Sequence, residues 1–89
     1  MKNYNKMKFQ AEIDVMPLKA LLDPQGKLVT TTLQNIGYKG VDNVRIGKHI
    51  SLEIEAKDEK QAHQLIDEAC KKILSNPIME SYEFRLKAL

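Results

Sequence analysis

Tryptophan is absent, and three tyrosines and two phenylalanines are the whole aromatic complement. That leaves too little aromatic surface for the base-stacking platform of a single-strand binder. There is one cysteine, so no internal disulfide can form and no thiolate cluster can hold zinc. A reducing, cytoplasmic compartment is expected. No stretch approaches the roughly 20 apolar residues a membrane helix needs, and the N-terminal `MKNYNKMKF` has no signal-peptide core. A net charge of +2 is too small to point to nucleic acid or a membrane surface.

What remains is 89 residues, 43% hydrophobic and 29% charged, the profile of one folded domain. Residues 1–6 read as a polar tail and 7–89 as the domain. A domain this small gains from association with further chains.

Phe9, Ala11, Ile13 and Val15 alternate with Lys8, Gln10, Glu12 and Asp14, the period of a half-buried strand that Pro17 ends. Asp23 then offers an N-cap with Pro24 at the first helical position, and Leu28, Val29, Leu33 and Ile36 follow at helical spacing. Gly37 suits the left-handed residue that closes such a helix. Three threonines, Thr30, Thr31 and Thr32, weaken its propensity, so packing of the apolar stripe is expected to hold it.

Val44 and Ile46 predict a short strand, Gly47-Lys48 a two-residue hairpin, and Ile50, Leu52, Ile54 and Ala56 the returning strand. Asp58 and Gln61 form a capping-box pattern ahead of a second helix. That helix carries Ala62, Leu65, Ile66, Ala69, Cys70, Ile73 and Leu74 on one face and stops at Asn76-Pro77. Tyr82, Phe84 and Leu86 alternate in a last strand. The order β-α-β-β-α-β predicts an α+β, ferredoxin-like fold: a four-stranded antiparallel sheet with two helices on one face. The other face would carry Lys8, Gln10, Glu12, Ser51, Glu53 and Glu55, open to solvent or to a second subunit.

This fold hosts many functions, so chemistry must be sought in sites. A paired-cysteine metal loop, strand aromatics for RNA and a glycine-rich phosphate loop are all missing. The segment `MPLKALL` after the first strand lacks the arginine and cradle of an acylphosphatase-like enzyme. His63 and Cys70 lie about 10.5 Å apart along their helix, too far for a thiolate–imidazole pair, so a core thiol and a surface imidazole are expected. His49 reads as a solvated histidine. Arg45, Lys48 and Lys39 form either a basic contact patch or simply a soluble turn. `DPQG` reads as a helix start, which leaves Gln25-Gly26 unaccounted for, since glycine in a first turn costs about 1 kcal/mol relative to alanine.

Three motifs carry a resemblance. `LDPQGKLV`, `VDNVRIGKHISLEI` and `LSNPIMESYEF` resemble, in order and spacing, the PurS family, the small subunit of phosphoribosylformylglycinamidine (FGAM) synthase. The match spans Met7 to Phe84, with Ala20 standing where relatives often carry glycine. The resemblance implies a subunit of a glutamine-dependent carbon–nitrogen ligase with no catalytic residues of its own. It implies a homodimer, alone or paired into a tetramer, that joins a glutaminase (PurQ) to a synthetase (PurL). Ammonia would pass between them for the ATP-dependent conversion of formylglycinamide ribonucleotide to formylglycinamidine ribonucleotide in purine synthesis. No cofactor or metal is expected on this chain; ATP and Mg belong to the synthetase. The matching motifs supply the candidate partner contacts: Asp23, Gln25 and Gly26; Arg45, Gly47 and Lys48; Asn76 and Pro77. An ACT-type small-molecule-binding regulatory module is the alternative, with its ligand near `LLDPQG`, and an acylphosphatase-like enzyme stands third.

Overall fold

Alternation along Met7–Pro17 makes β1 the central strand of the sheet, with Phe9, Ala11, Ile13 and Val15 buried. The computed structural model describes residues 6–19 and 23–89. The expected tail therefore lies, but for Lys6, outside the described residues, as does Ala20. β2 (Lys48–Ala56) and β3 (Glu80–Ala88) pair antiparallel on either side of β1, giving the order β2-β1-β3. Ile13 faces Ile50 on one side and Phe84 on the other, so one face of all three strands is apolar.

The helix α2 (Glu59–Ala69) covers that face through Ala62 and Ile66, and Cys70 follows them into the core. Asp58 caps it by accepting the Gln61 N–H at 2.8 Å, while the Gln61 side chain accepts from Lys57 N at 2.8 Å, one residue before the usual capping-box position. Tyr82 on β3 donates its hydroxyl to Asp67 at 2.5 Å and fixes the helix over the sheet. The helix widens into a π-helical turn, Cys70–Leu74, and stops where the Ser75 N–H and hydroxyl both donate to the Cys70 carbonyl, each at 2.9 Å. Ile73, expected on the buried face, is turned outward and is 82% exposed.

The first helix, α1 (Pro24–Asn35), begins and ends as its sequence indicates. Asp23 caps it, and Gly37 adopts φ 115°. Tyr38 N donates to Leu33 O at 2.9 Å and Gly37 N to Gln34 O at 3.2 Å, the paired bonds of a Schellman ending.

Two further expectations fail. Among the described residues the sheet has three strands, not four, because residues 41–47 form no strand and Gly47-Lys48 no hairpin. Their backbone is hydrogen-bonded to α1 instead. Val44 N donates to Thr30 Oγ1 at 3.0 Å, Gln34 Nε2 to Val41 O at 2.8 Å, and Ile46 N to Asp23 Oδ2 at 3.0 Å. Asn43, at φ 53°, breaks the extended conformation that a strand would need. The low-propensity Thr30 thus has a use as the acceptor that holds this strap.

The second failure is that α1 does not lie on the sheet beside α2. It makes no extended contact with any strand, and Leu28 and Ile36 of its apolar stripe stay 67% and 66% exposed. The chain is correspondingly long, with a radius of gyration of 17.7 Å and extents of 60 × 25 × 16 Å. A close-packed domain of this length has a radius of about 12 Å.

Candidate functional site

Because β1 runs antiparallel to both neighbours, its C-terminal end meets the N-terminal ends of β2 and β3. The three sequence motifs converge there. Leu18 N donates to Met79 O at 2.9 Å, bringing the end of β1 onto the turn before β3. Pro17, Asp23, Pro24, Ile46, Asn76, Met79 and Glu80 line one cleft of about 300 Å³. A larger open hollow of about 800 Å³ lies between α1 and the 41–45 strap, and Lys19, Lys27, Asp23 and Arg45 are among its lining residues.

Asp23 is the centre of this end. One carboxylate oxygen accepts the Gly26 N–H at 3.0 Å and closes the first turn of α1. The other accepts the Ile46 N–H at 3.0 Å, from a residue 23 positions along the chain. These two donors, Gly26 first, hold the Asp23 carboxyl below the ordinary carboxylate range. Asparagine is as good a cap as aspartate in general, but here it has one acceptor oxygen and would turn its amide N–H groups toward the second donor. In denaturant melts, Asp23→Asn is therefore expected between wild type and Asp23→Ala. An Asn variant as stable as wild type would show that the Ile46 bond contributes nothing.

Gly26 is explained by close approach. A Cβ on it would lie 2.1 Å from the Val44 carbonyl oxygen and 2.6 Å from Asp23 Oδ2, so only glycine lets the strap rest on the first turn of α1. Gly47 plays the same part against β1, where a Cβ would sit 2.2 Å from the Val15 carbonyl oxygen and 2.3 Å from the Met16 sulfur.

Arg45 does not project freely. It is half-buried, and its guanidinium donates to the Pro17 carbonyl, so it ties the strap to the end of β1. Lys48 opens β2 opposite Val15 and is exposed. Asn76 organises the turn into β3: its side chain accepts from Ile78 N at 3.1 Å and its carbonyl from Met79 N and Glu80 N at 2.9 and 2.7 Å. Glu80 Oε1 in turn accepts from Asn76 N at 2.7 Å. Gln25 and Pro77 are exposed, and Ile78 beside Pro77 is 83% exposed. The candidate residues thus divide. Asp23, Gly26, Arg45, Gly47 and Asn76 build this end, while Gln25, Lys48 and Pro77 face outward.

Cys70 is buried, and burial, with the Asp67 carboxylate, pushes its thiol above the ordinary value, which leaves it protonated and a poor nucleophile. His63 packs its ring 4.8 Å from that of Phe84. Among the described residues, no three of His, Cys, Asp and Glu are grouped to hold a metal ion. No described helix is long and apolar enough to cross a membrane. Sequence reasoning missed the setting of His49, which lies between the Asp14 and Glu12 carboxylates at 2.6 Å from each. Alternation puts these residues on the open face, but only the strand register shows that they are neighbours across it.

The family model described as PurS, phosphoribosylformylglycinamidine (FGAM) synthase, matches residues 10–88. The chain is 43% identical over 81 residues to the PurS subunit of that synthase from Synechocystis sp., covering 91% of this chain and 81% of that one. It is 35% identical to the PurS subunit from Thermotoga maritima, covering 86% and 94%. Among solved structures it matches Bacillus subtilis PurS with a TM-score of 0.81 at 33% identity, covering 89% of this chain and 98% of that one. It matches a chain of PurLQS from Thermotoga maritima with a TM-score of 0.80 at 34% identity, covering 92% and 98%.

Proposed function

We propose, for a chain that belongs to the PurS family of phosphoribosylformylglycinamidine (FGAM) synthase subunits, a bridging role without chemistry of its own. FGAM synthase is a glutamine-dependent carbon–nitrogen ligase of purine biosynthesis. In this reading the chain holds a glutaminase subunit, PurQ, against a synthetase subunit, PurL, so that ammonia released on the first reaches the second. ATP and Mg bind the synthetase, and the complex works in the cytoplasm. The observation that carries the reading is the full-length likeness to a chain of PurLQS, 98% of which is covered. An ACT-type ligand-binding module is not favoured, because the match to the PurS family model takes in residues 10–88.

The partner contacts are proposed at the end of the sheet where the three motifs meet. Gln25, Lys48 and Pro77 would touch a partner directly, while Asp23, Gly26, Arg45, Gly47 and Asn76 hold the surface in shape. A homodimer is part of the proposal. The uncovered stripe of α1 and the long shape of the single chain are what an isologous contact would repair.

The test uses the purified chain. Light scattering at micromolar concentration is expected to give about twice the 10.2 kDa chain mass, and assays for glutamine hydrolysis and ATP consumption should show neither. A 10.2 kDa species throughout would remove the dimer, and turnover of either substrate would remove the bridging role.

A further inference from the structure

The open face of the sheet carries a histidine held from both sides. His49 faces Asp14 in the β1–β2 register, one step from Glu12 opposite Ser51. Its Nδ1 lies 2.6 Å from Asp14 Oδ1 and its Nε2 lies 2.6 Å from Glu12 Oε1. A neutral imidazole has one N–H and one lone pair, and an ionised carboxylate can only accept. Both contacts are therefore satisfied together only by the imidazolium. The other oxygens of both carboxylates accept hydrogen bonds as well, which favours their ionised forms. Glu12 Oε2 accepts from Gln10 Nε2 at 2.6 Å and Ser51 Oγ at 2.9 Å, while Asp14 Oδ2 accepts from the Arg85 guanidinium at 3.1 Å.

We propose that His49 is a proton-operated latch between β1 and β2: protonated, it ties Glu12 and Asp14 together, and on losing its proton it must release one of them. The surroundings decide the sign. On β3, Arg85 pairs with Asp14 and Glu83 stands opposite it; farther along the same face, Lys8 pairs with Glu53 at 3.5 Å. Release of the proton removes the one positive charge that stands between Glu12 and Asp14, so the mutual repulsion of Glu12, Asp14 and Glu83 is left with Arg85 as the cation that still pairs with Asp14. The latch lies one residue from Lys48 and two from Gly47, so it fastens the start of β2 where that strand adjoins the proposed contact surface.

The hydrogen bonds to Asp14 and then Glu12 raise His49 above its ordinary 6.5. A raised histidine contributes fully below 6.5 and loses its contribution as pH climbs through the higher folded value. On the acid side, Glu12 is held at about 2 and Asp14 below 3.8, first through His49 in each case. Their contribution is complete above the ordinary carboxylate values and fades only as pH falls through the depressed ones. The latch is thus fully closed between about pH 4.5 and 6.5 and opens on the alkaline side.

Nitrogen-15 NMR of the His49 ring in the full-length chain tests this. The expected result is a titration midpoint above that of the same residue in the denatured chain, with both ring nitrogens protonated below it. Glu12→Gln and Asp14→Asn should each lower the midpoint. The urea-midpoint advantage of wild type over His49→Gln should shrink from about pH 6 to about pH 9. A wild-type midpoint at or below the denatured value overturns the latch, and that titration decides alone if a variant fails to fold. A midpoint indifferent to both substitutions overturns it as well.

Discussion

Leaving this chain out of a mixture of PurL and PurQ is expected to lower glutamine-dependent FGAM formation by up to about 10²–10⁴-fold, the range by which linking two binding events raises the apparent affinity. Synthesis fed with free ammonia should be nearly unchanged. The reason is chemical. Among the described residues there is no activated nucleophile: the one cysteine is buried and protonated, and His63, seven residues earlier, packs its ring at a tilt 4.8 Å from that of Phe84. A bridging subunit acts on the encounter of two active sites, and ammonia supplied from solution bypasses that encounter. Steady-state rates with each nitrogen source, with and without the chain, separate the two cases. Equal loss with both sources would place the chain inside the synthetase's own catalysis.

Gly26→Ala is expected to destabilise the protein by about 1–3 kcal/mol, the usual cost of forcing extra atoms into a packed contact. Helix propensity alone points the other way, since alanine in a helix is favoured over glycine by about 1 kcal/mol. Sterics win because the new Cβ would stand 2.1 Å from a backbone oxygen, that of Val44. That backbone cannot swing aside cheaply, because Val44 N is bonded to Thr30 and Ile46 N to Asp23. Gly40 is the control. A Cβ there meets nothing within 4 Å, so Gly40→Ala should stay within about 0.5 kcal/mol of wild type. Urea melts of both variants check the pair. A stabilised Gly26→Ala would mean that the strap is not seated on α1.

The parts legible in the sequence are those fixed by local rules. β1 declares itself by alternation, α2 by its apolar face and cap, and α1 by Asp23, Pro24 and Gly37. The strap was not legible, because Val44 and Ile46 give a two-residue pattern that a strand and a side-chain-tethered segment share. What separates them is Thr30 and Asp23 acting as acceptors from 14 and 23 residues away. The exposed stripe of α1 was misread for a related reason: periodicity reports that a face is apolar, not which surface covers it. At the site, the `DPQG` cap was readable and the puzzle of Gly26 was visible. Its answer needed the tertiary position of the Val44 carbonyl. Arg45 reads from the sequence as part of a basic contact patch or of a soluble turn, because nothing local indicates that the Pro17 carbonyl, 28 residues earlier, receives its guanidinium.

The role proposed for this chain is to bring two other subunits together. Sedimentation velocity of PurL and PurQ, run with and without the chain, tests it most directly. One fast-sedimenting species containing all three proteins is expected when the chain is present, and separate PurL and PurQ boundaries when it is absent. PurL and PurQ sedimenting together to the same extent without it, or the chain sedimenting alone in the mixture, would rule out a bridge.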